Sequence, residues 1–267
     1  MIRKPAVAGQ FYPHDGSEVR KQIKEFTVKD VKKEKVIAAV CPHAGYIYSG
    51  GVAGEVYSRI QLPKNIVIIG PNHTGIGVPA SVMADGEWEM PTGNVKINSE
   101  LANAIINQSR YLKNDSMGHA REHSLEVQLP FIQYFIEDFT IVPILLMRSD
   151  YEICEDVGNA IYKGIEAIDK DSLIIASTDM THYESHESAV EKDKKAIDEI
   201  LKLNPEGLYT TIKQNHISMC GFIPTTTTII ASKLLGAKEC ELVRYTTSGE
   251  VSGDYEHVVG YAGLLIK

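Results

Sequence analysis

Apolar residues follow two rhythms along this chain. Short unbroken runs at 36–40, 66–69, 140–145 and 173–176 are rich in β-branched residues and too short for buried helices. They predict strands covered on both faces. Between them the spacing lengthens to that of helices, at 17–26, 100–108, 122–134 (despite Pro130), 151–168, 188–203, 205–214 and 221–235. The stretch 50–57, with Gly50, Gly51, Ala53 and Gly54, predicts a helix of small residues packed close to a sheet. Residues 78–97 alternate in polarity around Trp88, Pro91 and Gly93, which suggests a hairpin or excursion. Residues 5–13 read as an extended arm packed by its aromatics, and 241–246 and 257–266 as closing strands. Strands alternating with helices throughout predict the α/β class, with helices layered on a mixed sheet.

Composition narrows the function classes. The 267 residues, 43% hydrophobic and 23% charged, suit one large α/β domain or two small ones. A formal charge of −8 argues against a nucleic-acid surface, and the lysines at 29–35 and 192–195 are interleaved with acids. No apolar run reaches the roughly 18 residues needed to span a bilayer. The first residues lack a signal-peptide apolar region, so the expected location is cytoplasmic, with no membrane partner. Four cysteines without a CxxC pair point to reduced thiols. Gly50, Gly51 and Gly54 fit neither the P-loop nor the dinucleotide fingerprint, so no nucleotide cofactor is expected.

The candidate chemistry sits at the ends of the apolar runs. His43 follows the first run, His73 the second, and Asp179 and His182 the run at 173–176. Cys220 precedes a predicted helix. In open α/β sheets catalysts gather outside the carboxyl ends of strands, so these separate segments can share one pocket. Each histidine can be a metal ligand, an acid–base group or a hydrogen-bonded loop residue, with Gly45 and Gly75 allowing the turns that aim the rings. A helical turn after the strand would put Asp179 and His182 on one side, where a carboxylate can orient an imidazole; helix capping is the alternative for Asp179. A helix N-terminus would lower the Cys220 thiol's pKa. Cys41, two residues before His43, would line the pocket's back wall. Arg121, His123 and Glu126 form a second dense polar cluster, suited to ligand support or substrate contact, and Tyr46 follows the His43 turn. Trp88, Tyr46, Tyr48 and Tyr183 would suit a peptide groove.

Five segments carry a resemblance, in order: Pro42-His43-Ala44-Gly45-Tyr46, Gly70-Pro71-Asn72-His73, the run from Arg121 to Phe131, the run from Ser177 to Tyr183, and Met219-Cys220-Gly221. With the opening Arg3 to Pro13 and the closing Ser252-Gly253-Asp254, they resemble the Memo family, called AmmeMemoRadiSam system protein B in archaea and bacteria. The resemblance covers essentially the whole chain. It implies one three-layer α/β/α domain over 1–267, like that of class III extradiol dioxygenases. It further implies His43 and His73 as ligands of a mononuclear metal, Fe(II) or copper (I/II), with His182 near the acid–base position; Asp179, from its place in the same segment, is expected to orient the pocket and move protons with His182. Cys220 falls where those dioxygenases place a glutamate. A thiolate favours Cu(I), Zn(II) or thiolate-bound Fe(II), and makes ordinary extradiol cleavage doubtful. The implied role is metal-dependent redox chemistry on an unknown small molecule or peptide, with radical-SAM and Ammecr-type system proteins as partners. Metal or peptide binding without turnover, and a metal-free hydrolase or transferase with Cys220 as nucleophile, are the alternatives.

Overall fold

The computed structural model describes residues 1–147 and 149–267. Its elements run β1 (Ile2–Arg3), α1 (Gly16–Phe26), β2 (Ala38–Cys41), α2 (Tyr46–Arg59), β3 (Asn65–Pro71), β4 (Ala80–Val82), β5 (Glu87–Trp88), β6 (Val95–Ile97), α3 (Ser99–Ile106) and β7 (Lys113–Asn114). After a 3-10 turn at Glu126–Gln128 come α4 (Leu129–Phe135), β8 (Thr140–Leu146), α5 (Tyr151–Ile168), β9 (Ser172–Ser177) and β10 (His182–Glu184). The remainder is α6 (His186–Leu201), α7 (Pro205–Gln214), α8 (Phe222–Leu234), β11 (Cys240–Thr247), the short α9 (Gly249–Ser252) and β12 (Val258–Ile266).

One mixed sheet runs in the order β1-β5-β6-β8-β3-β9-β2-β12-β10. Its centre, from β6 through β8, β3 and β9 to β2, is parallel, and β12 closes it antiparallel to β2. Alternate residues of the central strands feed opposite faces, as the two-residue period requires. Val40, Val67, Ile69, Ile174 and Ala176 pack in one core with α3, α5, α7 and α8. Ala39, Cys41, Ile66, Ile68 and Ile175 pack in the other with α1, α2 and α4. The three-layer α/β/α arrangement is the one expected. No helix among the described residues is long and apolar enough to cross a membrane.

Three expectations fail locally. The helix expected over 122–134 does not begin until Leu129, with Pro130 in its first turn. Upstream, the Glu122 carboxylate accepts the backbone N–H groups of His123 and Ser124, both at 2.9 Å, and so bends the chain. The segment after β9 is not a helical turn. Met180 N–H donates to Gly260 O, and Gly260 N–H to Thr181 O, so it joins β12 instead. Cys41 does not line the pocket: it is fully buried in the α1/α2 core, where burial pushes its thiol pKa up.

Candidate metal centre

The parallel strands deliver their side chains to one end of the sheet. His43 lies two residues beyond β2, His73 two beyond β3 and Asp179 two beyond β9. The rings of His43 and His73 meet edge-on at 5.1 Å between centroids, and His123 stacks on His73 at 4.7 Å. One ring nitrogen from each of His43, His73 and His123 lies within 4.8 Å of the other two, a spacing that can hold a metal ion. His123, expected as support or substrate contact, therefore joins the two expected ligands in one group.

The tautomers follow from the hydrogen bonds. Ser177 Oγ donates to Ser124 O (2.6 Å) and accepts from Gln128 Nε2 (2.9 Å). Gln128 is itself fixed, because Nε2 also donates to Pro42 O and Oε1 accepts from the Tyr57 hydroxyl. The serine hydrogen is thus spent, so His43 Nδ1, 3.0 Å away, must donate to Ser177 Oγ. His43 Nε2 is left with its lone pair. The same holds at His73, whose Nδ1 donates to Glu122 Oε1 at 2.9 Å while its backbone N–H donates to Oε2 at 2.5 Å. His123 Nδ1 lies 3.3 Å from the same Oε1. A carboxylate that fixes ring orientation and raises ligand basicity is a recurrent companion of metal-binding histidines.

Electrostatics keep the set competent to bind a cation. Burial, then the neighbouring imidazoles, holds His43 well below the ordinary histidine pKa, so its ring is neutral. Burial likewise lowers His123, against the opposing pull of Glu122. Glu122 is 1% exposed. Burial alone would raise its pKa, yet the hydrogen bond from His73 and the nearby imidazoles and backbone donors bring it to about 2. Sequence reasoning missed Glu122 as a site residue. Its place in the polar Arg121-Glu122-His123 loop, between His119 and His123, was the available signal.

Asp179 is not a helix cap. Its Oδ1 accepts the His43 backbone N–H at 2.7 Å, which pins the loop that carries the imidazole. Burial raises its pKa to about 6, against the opposing pull of that hydrogen bond. His182 donates its backbone N–H to Ser218 Oγ (2.7 Å) and Nδ1–H to Ser218 O (3.1 Å), which leaves Nε2 free to exchange a proton. Cys220 Sγ lies 3.2 Å from His43 Nε2. The sulfur also accepts the Asp179 backbone N–H at 3.3 Å. The expected lowering of its pKa does not occur: α8 starts at Phe222, and burial followed by the Asp179 charge pushes the thiol up.

Arg121, Glu126 and Tyr46 stand further off. Arg121 is exposed. Glu126 is fully buried and ties down the N-terminal arm: it pairs with Arg3 and accepts Ala6 N–H (2.7 Å), Val7 N–H (3.0 Å) and the Tyr12 hydroxyl (2.6 Å). That arm sets Phe11 4.8 Å from the His123 ring. Tyr46 is buried and donates to Val127 O. Trp88 is also buried, beneath the Arg3 guanidinium, so of the four aromatic residues expected in a peptide groove only Tyr48 and Tyr183 reach the pocket.

A cavity of about 550 Å³ opens in front of the histidines. Asp179, His182, Tyr48, Tyr183, Tyr261, Asp254 and His257 are among the residues that line it. Tyr261, Asp254 and His257 were not anticipated as site residues, although Asp254 lies in the closing segment that carries the family resemblance.

The fold is shared with an uncharacterized protein from Escherichia coli K12, solved by crystallography. It superposes with a TM-score of 0.58 at 12% identity, covering 87% of this chain and 100% of that one. Sequence relatives are nearer. A MEMO1 family protein of Methanopyrus kandleri is 44% identical over 100% of this chain and 99% of its own length. One from Methanothermobacter thermautotrophicus is 43% identical over 99% and 100%, and one from the bacterium Aquifex aeolicus 44% over 99% and 98%. The family model for Memo-like proteins matches residues 3–265, and the chain belongs to that family.

Proposed function

We propose that this chain is a metalloprotein that binds one redox-active ion, iron or copper, and uses it on a small molecule held in the front cavity. The observation that carries this reading is the convergence of three imidazoles, with Nδ1 of His43 held by Ser177 and Nδ1 of His73 by Glu122. His43 and His73 would hold the ion together with Cys220, with His123 in reach as a further ligand. Among the described residues the donor atoms that all lie within 4.8 Å of one another are those of His43, His73 and His123, without Cys220; the spacing to His43 is what supports the thiol. Metal–nitrogen and metal–sulfur bonds of about 2.0 and 2.3 Å put two ligand atoms of a tetrahedral site roughly 3.5 Å apart. His43 Nε2 and Cys220 Sγ are separated by 3.2 Å.

When bound, such an ion would supply one-electron chemistry tuned by a soft sulfur donor. The chain's own residues do the rest. Ser177 and Glu122 hold His43 and His73 in the ligand tautomer. Asp179 holds the His43 loop and, together with His182 Nε2, can take or return a proton in the cavity. Tyr48, Tyr183 and Tyr261 offer flat apolar area for a planar or extended ligand. The high pKa of the Cys220 thiol weighs against a metal-free nucleophile.

A second reading, binding of a peptide or metal without turnover, rests on one observation. Tyr183 is 73% exposed, at φ 58°, on the rim of the cavity. Oxygen consumption by metal-loaded protein that requires both His73 and Cys220 supports the redox reading. Metal binding with no electron transfer to any oxidant, and partner capture that survives loss of both residues, supports the second.

A further inference from the structure

A second cavity, of about 500 Å³, lies behind the centre, between the ends of β3 and β8 and the segment joining α7 to α8. His73 lines both cavities. Cys220 lines only the rear one, whereas His43 and His123 line only the front one. His43 Nε2 at 3.2 Å, the Asp179 backbone N–H at 3.3 Å, the Asp179 carbonyl at 3.6 Å and Thr178 Oγ1 at 3.9 Å surround the sulfur, and the cavity that Cys220 lines is the rear one. The rear floor is apolar, built of Ile212, Met219, Phe222 and Ile223. Lys213 and His216, both exposed, stand among its lining residues.

We propose that the rear cavity is a separate approach to the centre, taking a small molecule of mixed polar and apolar surface that reaches His73 and Cys220 while a larger ligand occupies the front. Ile212, Met219, Phe222 and Ile223 offer such a molecule apolar contact, and Asn72 and Ser218 offer it hydrogen-bond partners. Two cavities meeting at one histidine allow two reactants to arrive independently, neither displacing the other. The role as a co-reactant's route rests on the proposed function; the route itself does not.

The route is read by thiol labelling of the full chain with methyl methanethiosulfonate, a small neutral reagent, followed by peptide mass mapping. Reactivity depends on access, so Lys213→Trp and His216→Trp, which fill the rear cavity, are expected to slow labelling of Cys220 by about fivefold or more. Ser252→Trp, at the front mouth, is expected to change it by less than about twofold. Cys41 and Cys154 are buried and report folding: they stay unlabelled in a native variant, and if one rear variant fails that check the other decides. Unchanged labelling in a folded rear variant, or slowing by Ser252→Trp instead, overturns the proposal. A chain that binds no ion gives the same labelling result, so failure of the route and failure of the metal reading are told apart.

Discussion

The thiol sulfur of Cys220 lies 3.2 Å from His43 Nε2, on the side of the imidazole that carries the lone pair. That orientation is set elsewhere, by a chain of donors running from Tyr57 through Gln128 to Ser177 and ending on Ser124 O. Two soft or borderline donors are thus held at close to the spacing of a ligand pair by groups outside the proposed ligand set.

Removing the serine hydroxyl tests that chain. In Ser177→Ala the Gln128 amide and the Ser124 carbonyl each lose a buried partner, and His43 is free to adopt the other tautomer. Stability is expected to fall by about 1–3 kcal/mol in urea titration. Metal affinity is expected to fall by about tenfold or more. Unchanged affinity would mean that the hydroxyl does not select the tautomer.

Glu122 serves two histidines at once. Glu122→Gln places an amide N–H₂ where one carboxylate oxygen now accepts a donor, so a backbone N–H of the His73 or 122–124 turn is left facing another donor. The expected result is a loss of about 10–100-fold in metal affinity, measured by competition with a chelator. Circular dichroism should show the fold retained. Wild-type affinity in this variant would remove the carboxylate from the account.

The Arg3–Glu126 pair is buried on both sides, with side-chain exposures of 3% and 0%. Glu126→Ala leaves the guanidinium unpaired and is expected to cost about 3–5 kcal/mol. Arg3→Met combined with Glu126→Gln is expected to cost less than the sum of the single changes, because the two residues interact directly. Additive losses in denaturant titration would show that they act independently.

Asp193 gives a pH signature apart from the three clustered imidazoles, although His182 is close enough to oppose the shift. Its Oδ1 accepts Thr181 N–H at 2.9 Å and its Oδ2 accepts the Tyr245 hydroxyl at 2.8 Å, yet burial raises its pKa above the ordinary 3.8. The folded chain therefore holds this proton more tightly than the unfolded one. Relative to Asp193→Asn, the wild type is expected to lose stability as pH rises from its ordinary value through the raised one, then level off. A stability difference that does not change with pH across that interval would contradict the raised pKa.

Much of this architecture was legible because the buried strands are unbroken β-branched runs. Those runs located β2, β3, β8 and β9, and with them the loops that carry His43, His73 and Asp179. The helix at Tyr151–Ile168 was bounded correctly, and 205–214 likewise, with Pro205 opening it. Legibility ended where side chains override local pattern. Glu122 diverts its own backbone out of a helix that the apolar spacing favours, and in doing so brings His123 to the centre. Asp179 is a short polar residue before a turn, which reads as a cap, but its partner is 136 positions away. Tyr261, Asp254 and His257 reach the front cavity only because β12 returns to pair with β2 and β10, a pairing that no local spacing announces.

The most direct test is metal content after anaerobic purification and exposure to equal Fe(II), Cu(I) and Zn(II), with Cys220→Ser and His123→Ala alongside. The account predicts one tightly held redox-active ion per chain, lost or greatly weakened in Cys220→Ser and largely kept in His123→Ala. No bound ion in the wild type, or an ion that depends on His123 and is indifferent to Cys220, would contradict it.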